Sequence, residues 1–247
     1  MPAEPAPHAR FDAAASAYER ARPGYPPALV GWLTRTTGIG ADAPVLDLGA
    51  GTGELTLRLA ETGLAVTAVE PSPAMSAVLA SRMPGIEILP DRAESLSSAG
   101  GAFALVTIAN ALHWLDPAAA FPEIARVLAD DGHLAIVWHL PDRRDPIQDR
   151  LWSLVEELHL DAAPYPGPEP GGEPDWLGLF EPLASERFTY VHRLPRELLP
   201  DYVASWSGVA NMEEGARMEL LADVRGWSLA AELELPFTVD ALVGRRV

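Results

Sequence analysis

The feature that most constrains this chain is a glycine-rich turn between an apolar segment and a helical segment. Residues 45–48 read Val-Leu-Asp-Leu, a short apolar run typical of a buried strand, and residues 49–53 read Gly-Ala-Gly-Thr-Gly. Residues 54–61 then place apolar side chains at helical spacing. Glycines let a backbone approach a ligand closely, and the first turn of a helix offers free N–H groups. This unit predicts a ligand-binding corner of an α/β fold.

The alternation of strand and helix extends beyond this corner. Strands are predicted at 65–69, 86–89, 103–109, 133–140, 188–193 and 237–243, with a turn at 130–132. Helices are predicted at 11–21, 28–37, 72–83, 118–129, 151–160, 198–206 and 213–225. Strands that alternate with helices predict a parallel sheet with helices on both faces. A loop rich in proline and glycine is predicted at 164–174.

Composition excludes several kinds of chemistry and of partner. The 18 basic residues are all arginines and no cysteine is present, so a lysine Schiff base and a thiolate nucleophile are excluded. The six histidines show no clustered spacing, and no metal site is predicted. The net charge of −17 repels phosphate backbones and anionic lipids, which makes nucleic acid and membranes poor partners. Because residues 1–10 contain no apolar leader segment, we expect a cytoplasmic protein.

The residue after the glycine turn separates two kinds of nucleotide ligand. A dinucleotide fingerprint needs glycine at its first, third and sixth positions, and the sixth position counted from Gly49 is Glu54. Its carboxylate disfavours a pyrophosphate. The Asp-x-Gly-x-Gly-x-Gly pattern instead resembles motif I of class I S-adenosylmethionine-dependent methyltransferases. That resemblance implies that Asp47, Gly49, Ala50 and Gly51 bind S-adenosylmethionine. It also implies a Rossmann-like sheet of seven strands, the last antiparallel, with a small helical cap.

An acidic residue ends the strand that follows the glycine corner. Glu70 lies 21 residues after Gly49, and a carboxylate at this offset accepts hydrogen bonds from both ribose hydroxyls. The alternative is a solvated strand end. The resemblance implies that Pro71 and Met75 also bind the cofactor, with Met75 near the adenine, although Met75 on its own reads as a helix packing residue.

The segment after the third strand carries a weaker signal for adenine. Residues 92–94 read Arg-Ala-Glu, and the resemblance implies that Ala93 and Glu94 lie beside the adenine ring. Many members of the family have an acidic residue where this chain has Arg92. The alternative interpretation is a surface turn of mixed charge.

The end of the fourth strand contains an unusual pairing of histidine and tryptophan. Residues 111–116 read Ala-Leu-His-Trp-Leu-Asp, which resembles the Ala-x-His-Trp-Phe-Asp signature of a subgroup that includes trans-aconitate methyltransferase-like proteins. Asn110 is predicted to bind the cofactor. His113 is predicted to bind cofactor or substrate, or to be catalytic as a general base. The alternative is a histidine that caps the next helix, with Trp114 packed beneath it.

The N-terminal segment supports the same resemblance. Residues 11–26 are similar to the opening Phe-x-x-x-Ala-x-x-Tyr-x-x-x-Arg-Pro-x-Tyr-Pro of that subgroup. Such a segment folds over the cofactor as a lid. Arg22 then pairs with the methionine carboxylate and Tyr18 donates a hydrogen bond to it. Ordinary packing of a cap helix is the alternative for Tyr18 and Tyr25.

Together these features predict one methyltransferase domain that acts on a small, apolar or aromatic acceptor. We expect lid helices at 11–40, a cofactor-binding core at 41–140 and a substrate-side cap at 141–247. The residues predicted to bind the acceptor are Tyr25, His113, Trp114, Trp138, His139 and Trp206. A monomer or homodimer is expected. A cyclase or non-catalytic protein that binds S-adenosylmethionine remains an alternative, and a nicotinamide-dependent oxidoreductase is disfavoured.

Overall fold

A mixed β-sheet flanked by helices organises the molecule, for which a computed structural model describes residues 15–158 and 174–247. The strands are β1 (Pro44–Leu48), β2 (Ala65–Val69), β3 (Glu87–Leu89), β4 (Phe103–Ala109), β5 (Leu128–Pro141), β6 (Phe180–Pro195) and β7 (Glu232–Arg246). The helices are α1 (Ala15–Ala21), α2 (Pro27–Thr37), α3 (Glu54–Ala60), α4 (Pro73–Arg82), α5 (Pro117–Val127), α6 (Pro146–Glu157), α7 (Leu199–Ala204), α8 (Ser207–Ala210) and α9 (Glu214–Arg225). Most of the loop predicted at 164–174, and the predicted helix residues 11–14 and 159–160, lie outside the described residues.

The order of the strands places a switch point at the centre of the sheet. The seven strands follow the order β3-β2-β1-β4-β5-β7-β6. β1 to β5 run parallel, whereas β7 is antiparallel to both β5 and β6. Leu48 at the end of β1 is in register with Val69 of β2 and Ile108 of β4, so three carboxyl ends lie side by side. The expected Rossmann-like sheet with an antiparallel last strand is confirmed.

Apolar layers cover both faces of this sheet because alternate strand residues point to opposite sides. On one face, Leu46 belongs to a buried cluster that includes Phe121 of α5. On the other face, Val45 belongs to a cluster that includes Leu33 of α2 and Leu59 of α3. Helices therefore pack on both sides, as the strand–helix alternation predicts.

A third apolar cluster builds the helical cap that the resemblance implies. It joins α1, α6, α7, α9 and β7 through the buried residues Ala21, Leu151, Val203, Val224 and Phe237. The helix predicted at 198–206 corresponds to α7, which is two residues shorter at its C-terminal end and follows a 3₁₀ turn at Arg196–Leu198. This cluster fixes α1 and α6 against the body of the protein.

The predicted turn at 130–132 is wrong. These residues lie inside β5, where the pairing with β4 moves from Phe103–Leu128 to Leu105–His133. Two steps along β4 thus correspond to five along β5, and the additional residues form a bulge. The Asp-Asp-Gly sequence marks this irregularity without ending the strand.

Three other elements extend beyond the residue ranges predicted for them. β6 and β7 extend well beyond the predicted strands at 188–193 and 237–243. α6 starts at Pro146, five residues before the predicted helix at 151–160. The Asp145 carboxylate accepts hydrogen bonds from the first backbone N–H groups of α6, and this cap sets where the helix begins.

Candidate active site

A cavity of about 350 Å³ lies where the carboxyl ends of the parallel strands meet the helical cap. Its walls combine residues that follow β1, β2 and β4 with residues of α1, α6, α7 and α8. These predicted site residues line it: Tyr18, Arg22, Gly49, Gly51, Glu70, Pro71, Met75, Glu94, Asn110, His113, Trp114, His139 and Trp206. The volume falls in the range of small-molecule sites.

The glycine turn forms one wall through backbone that only glycine adopts easily. Gly49, Gly51 and Gly53 have φ angles of 67°, 58° and 92°, all in the left-handed region. A Cβ at Gly53 would overlap the Leu79 side chain, so the third glycine permits close packing of the turn against α4. A Cβ at Gly51 would meet no protein atom within 4 Å, and Gly51 lines the cavity. The middle glycine therefore leaves space on the ligand side.

The Glu70 carboxylate is held in place by backbone donors on both of its oxygens. Gly51 N–H donates to Oε2 and Ser72 N–H donates to Oε1, both at 2.8 Å. The residue is 7% exposed and lines the cavity. A carboxylate oxygen can accept more than one hydrogen bond, so this fixed group suits a ligand that carries a pair of hydroxyls.

Arg22, which directly follows α1, brings a positive charge to the same cavity. Its Nη2 donates to the Ser205 carbonyl at 3.0 Å, and its guanidinium lies 4.7 Å from the centre of the Tyr18 ring. Its Nε is buried without a hydrogen-bond partner, and no carboxylate of the described residues forms an ion pair with Arg22. A buried donor of this kind fits an anionic ligand group.

Asn110 connects the end of β4 to β5 and to the segment after α1. It has a φ of 51°, and its Oδ1 accepts the backbone N–H of His139 at 2.9 Å. Its Nδ2 lies 3.0 Å from the Tyr25 hydroxyl and 2.7 Å from His139 Nδ1. His139 Nε2 in turn lies 3.0 Å from the Gly24 carbonyl.

These contacts determine the tautomer of His139. A carbonyl only accepts, so Nε2 carries the proton that bonds Gly24, and Nδ1 accepts from the Asn110 amide. Burial lowers the pKa of the His139 imidazole to about 4, which keeps it neutral near pH 7. Both ring nitrogens are thus occupied, and His139 anchors the chain beside Arg22.

His113 differs from His139 because its imidazole makes no hydrogen bond to the described residues. Burial, together with the positive charge of Arg22, lowers the pKa of His113 to about 4. Its ring lies 5.2 Å from that of Trp114, and both residues line the cavity. The site therefore presents a neutral imidazole whose nitrogen lone pair meets no donor in the described part of the chain.

The predicted adenine segment is only partly exposed to the cavity. Arg92 and Glu94 line it, and Glu94 Oε1 accepts the backbone N–H of Asp116 at 3.0 Å. Glu94 Oε2 is buried, with the Arg92 Nε at 3.3 Å in a geometry that does not make a hydrogen bond. Ala93 is buried in the core and does not line the cavity.

Asp47 lies outside the cavity, contrary to its predicted role in cofactor binding. It is buried within β1, where its carboxylate accepts hydrogen bonds of 2.6 Å from the hydroxyls of Thr56 and Thr107. Burial raises the pKa of this carboxyl to about 6. The residue ties β1 to α3 and β4, and thereby fixes the start of the glycine turn.

Three further predicted site residues also lie away from the cavity lining. Trp138 is buried in the core on the α5 face, because successive residues of β5 point to opposite sides and His139 takes the cavity side. The Ala50 N–H donates to a β2 carbonyl instead of facing the cavity. Tyr25 is buried behind Asn110, and burial raises the pKa of its phenol well above the usual value.

Several cavity residues were not predicted from the sequence. Those with large or polar side chains include Arg92, Gln148, Leu151, Trp152, Val155, Tyr202 and Phe237. Four of them lie on α6 at positions i, i+3, i+4 and i+7, a spacing that identifies one face of a helix. The spacing is visible in the sequence, but the side that faces the cavity is set by packing of the cap.

The comparisons with known proteins agree with this geometry. Residues 46–136 match the model of a family described as a methyltransferase domain. An uncharacterised methyltransferase of Mycobacterium tuberculosis is 43% identical over 156 residues, which cover 57% of this chain and 63% of that protein. Over residues 46–136 the chain is therefore similar to methyltransferase domains. Its match spans less than two thirds of the length of the mycobacterial relative.

Solved structures extend the likeness of fold to most of the chain. A proposed type II methyltransferase of Anaeromyxobacter dehalogenans superposes with a TM-score of 0.61 at 24% identity, covering 91% of this chain and 97% of that one. A proposed methyltransferase of Bacillus halodurans gives a TM-score of 0.54 at 18% identity, covering 88% and 98%. Likeness at these identities shows the fold. Among residues 15–158 and 174–247, no helix is long and apolar enough to cross a membrane.

Proposed function

We propose that this protein transfers a methyl group from S-adenosylmethionine to a small, apolar or aromatic molecule. The observation that carries the proposal is one cavity lined by both a fixed carboxylate, Glu70, and the half-buried guanidinium of Arg22, which has no counter-ion among the described residues. A nucleoside that carries an amino acid has a ribose diol and a carboxylate, which these two groups complement. The space beside Gly51 suits the close approach of such a ligand.

The residues that would hold the cofactor come from both sides of the cavity. Glu70 would accept the ribose hydroxyls, and Arg22 with Tyr18 would bind the carboxylate. Pro71, Met75 and Glu94 would surround the base, with Asn110 and the glycine turn beneath. When bound, S-adenosylmethionine supplies an electrophilic methyl group on a sulfonium, which an acceptor displaces in line.

The residues of this chain contribute mainly alignment and a dry pocket. Holding two reactants in the right geometry contributes about 7–11 kcal/mol to lowering a barrier. Because His113 has a pKa of about 4, it is a weak general base, and its better role is to contact the acceptor or cofactor. Trp114 and Trp206 would exclude water and form apolar walls for the acceptor.

This proposal divides the chain into three functional parts. Residues 11–40 would form the lid, 41–140 the cofactor core and 141–247 the acceptor side. The ion pair of Arg20 with Asp201 and the hydrogen bond from Arg22 to the Ser205 carbonyl join the N-terminal segment to the cap. These contacts support the role of that segment as a lid.

Titration calorimetry with S-adenosylmethionine, S-adenosylhomocysteine and NADH tests the proposal. We expect binding of the first two and no heat with NADH. Binding of NADH alone, or no heat with either sulfur compound on folded protein, would overturn it. Formation of S-adenosylhomocysteine with a panel of aromatic acceptors then tests methyl transfer; cofactor binding without turnover on any acceptor would favour a non-transferring binder.

A further inference from the structure

One face of α6 supplies a continuous part of the cavity wall. Gln148, Leu151, Trp152 and Val155 all line the cavity, and their spacing of three, four and seven residues places them on consecutive turns of that face. Apolar side chains occupy three of these positions. Gln148 is the single polar residue among the four.

The amide of Gln148 is held in one orientation. The residue is 1% exposed, and its Nε2 donates to the Pro236 carbonyl at 2.9 Å. Since a carbonyl accepts and does not donate, the amide nitrogen faces Pro236. The Asp145 cap also accepts the backbone N–H of Gln148 at 2.9 Å, which fixes its main chain.

The amide oxygen of Gln148 is left as a hydrogen-bond acceptor at the cavity wall. Oε1 makes no hydrogen bond to the described residues, and the side chain lines the cavity. A polar group that is almost fully buried normally has its partners satisfied. A ligand with an N–H or O–H group would complete the bonding of this amide.

Aromatic rings from four places in the fold line the same cavity. Trp152 comes from α6, Tyr202 from α7, Trp206 from the α7–α8 junction and Phe237 from β7. The Tyr202 and Trp206 rings pack edge to face, with centroids 5.5 Å apart. Rings from separate elements favour a flat guest, because planar molecules stack on aromatic walls.

We propose that Gln148 determines acceptor specificity, and that the acceptor is a planar aromatic molecule with an N–H or O–H group that Gln148 Oε1 accepts. This inference rests on the proposed function, since it assigns the acceptor side of the same cavity. A molecule of the same shape that lacks the N–H or O–H group would leave the buried Gln148 amide oxygen without a hydrogen bond. A site built to hydrogen-bond its ligand therefore binds such a molecule more weakly.

Indole and benzofuran test this inference, because they share one shape and only indole has an N–H donor. Their dissociation constants are measured by calorimetry on the full chain saturated with S-adenosylhomocysteine. Indole is expected to bind about 3- to 10-fold more tightly than benzofuran. Gln148→Met should remove this preference, whereas Trp152→Leu should weaken both probes alike.

The Ser153→Ala variant is the matched control, because Ser153 lies on α6 and bonds the Asp149 carbonyl on an exposed part of the helix. It should keep the preference for indole.

Equal affinity of the two probes in the wild type, no binding of either, or an unchanged preference in folded Gln148→Met would each overturn the inference. The wild-type comparison stands even if that variant unfolds. Absent binding of S-adenosylhomocysteine overturns the proposed function, whereas binding without a preference for indole overturns only the role of Gln148.

Discussion

The chemistry of single residues in this cavity depends on how its charged groups are held. The Glu70 carboxylate accepts hydrogen bonds from two backbone N–H groups, whereas Arg22 donates to the Ser205 carbonyl and has a buried Nε with no hydrogen-bond partner among the described residues. The first group is suited to hydroxyls and the second to an anion. Two residues that the sequence singles out separately thus line one cavity and offer it different chemistry.

Replacing Glu70 by alanine should weaken the binding of S-adenosylhomocysteine by about 1–3 kcal/mol, because hydrogen bonds to a charged group are lost. Calorimetry measures this change. Glu87→Ala is the control, since Glu87 is a carboxylate on neighbouring β3 that bonds Thr67 at an exposed position. An affinity that is equal in both variants would remove Glu70 from the site.

Replacing Arg22 by methionine should lower the affinity for S-adenosylhomocysteine about 10- to 100-fold, as expected for a charged hydrogen bond. Binding of methylthioadenosine, which has the nucleoside and sulfur without the carboxylate, should change about twofold or less. Competition binding measures both ligands. Arg20→Met is the control, because its exposed ion pair with Asp201 lies outside the cavity lining. Equal losses for the two ligands would contradict the carboxylate role.

Residue positions were predictable where a motif fixes them and not where packing selects a face. The motif around Gly49 and the histidine–tryptophan pair at 113–114 led to residues that line the cavity. The prediction for Trp138 failed because an aromatic residue at a strand end has two faces available, and the neighbouring His139 occupies the cavity side. Gln148 was missed because α6 starts earlier than its apolar pattern indicates.

At the scale of elements, the glycine turn combines three different steric demands. Gly49 lies against Ala111, Gly53 against Leu79, and Gly51 beside open space. All three have left-handed backbone, so an L-residue is strained at each position. Within five residues, Gly49 and Gly53 therefore serve close packing, whereas Gly51 leaves space for a ligand.

Alanine at Gly51 should act mainly on ligand binding, whereas alanine at Gly53 should act mainly on stability. Gly51→Ala should lower the free energy of unfolding by about 1–2 kcal/mol, because alanine is strained in a left-handed backbone, and it should also weaken S-adenosylhomocysteine binding. Gly53→Ala should lower the free energy of unfolding by about 1–3 kcal/mol beyond that strain, because its Cβ would overlap Leu79. Urea denaturation and calorimetry separate the two effects.

The Gly38→Ala variant controls for backbone strain alone. Gly38 has a φ of 69° at the end of α2, and a Cβ there would meet no atom within 4 Å. Its loss of stability should equal that of Gly51→Ala, with ligand affinity unchanged. If Gly38→Ala and Gly51→Ala bind ligand equally well, the turn does not contact the ligand at Gly51.

The central strands were easier to predict than the edge of the sheet. β2 and β4 have the predicted bounds, since both are short and rich in apolar and β-branched residues. β6 was predicted at less than half of its length because most of its residues are exposed or half-buried and many are charged. Its pairing with β7 comes from tertiary structure, which an apolar pattern does not record.

At the scale of the whole molecule, buried titratable groups link stability to pH. Burial lowers the pKa of His113 and of His139 to about 4, so between pH 4 and 6.5 the unfolded chain binds more protons at these sites. Their contribution to stability is present above pH 6.5 and is lost as the pH falls to about 4. The pKa of Asp47 is raised to about 6, so this single group makes the folded state more stable, not less, as the pH falls through the same range.

We therefore expect the free energy of unfolding to fall as the pH is lowered from 6.5 to about 4. In the His113→Phe variant this fall should be smaller by roughly 1–3 kcal/mol, because one buried imidazole no longer has to stay neutral. Urea denaturation across this pH range measures the difference. Parallel curves for wild type and variant would show that His113 titrates normally in the folded protein.

The position of β7 between β5 and β6 has a consequence for how the molecule is made. β6 precedes β7 in the chain, and in the described sheet β7 is its only neighbour. During translation the ribosome therefore completes β1 to β6 while β6 still has no docking partner. The nascent chain carries a long unpaired segment until β7 emerges, and the part of the cavity wall that includes Phe237 is assembled last.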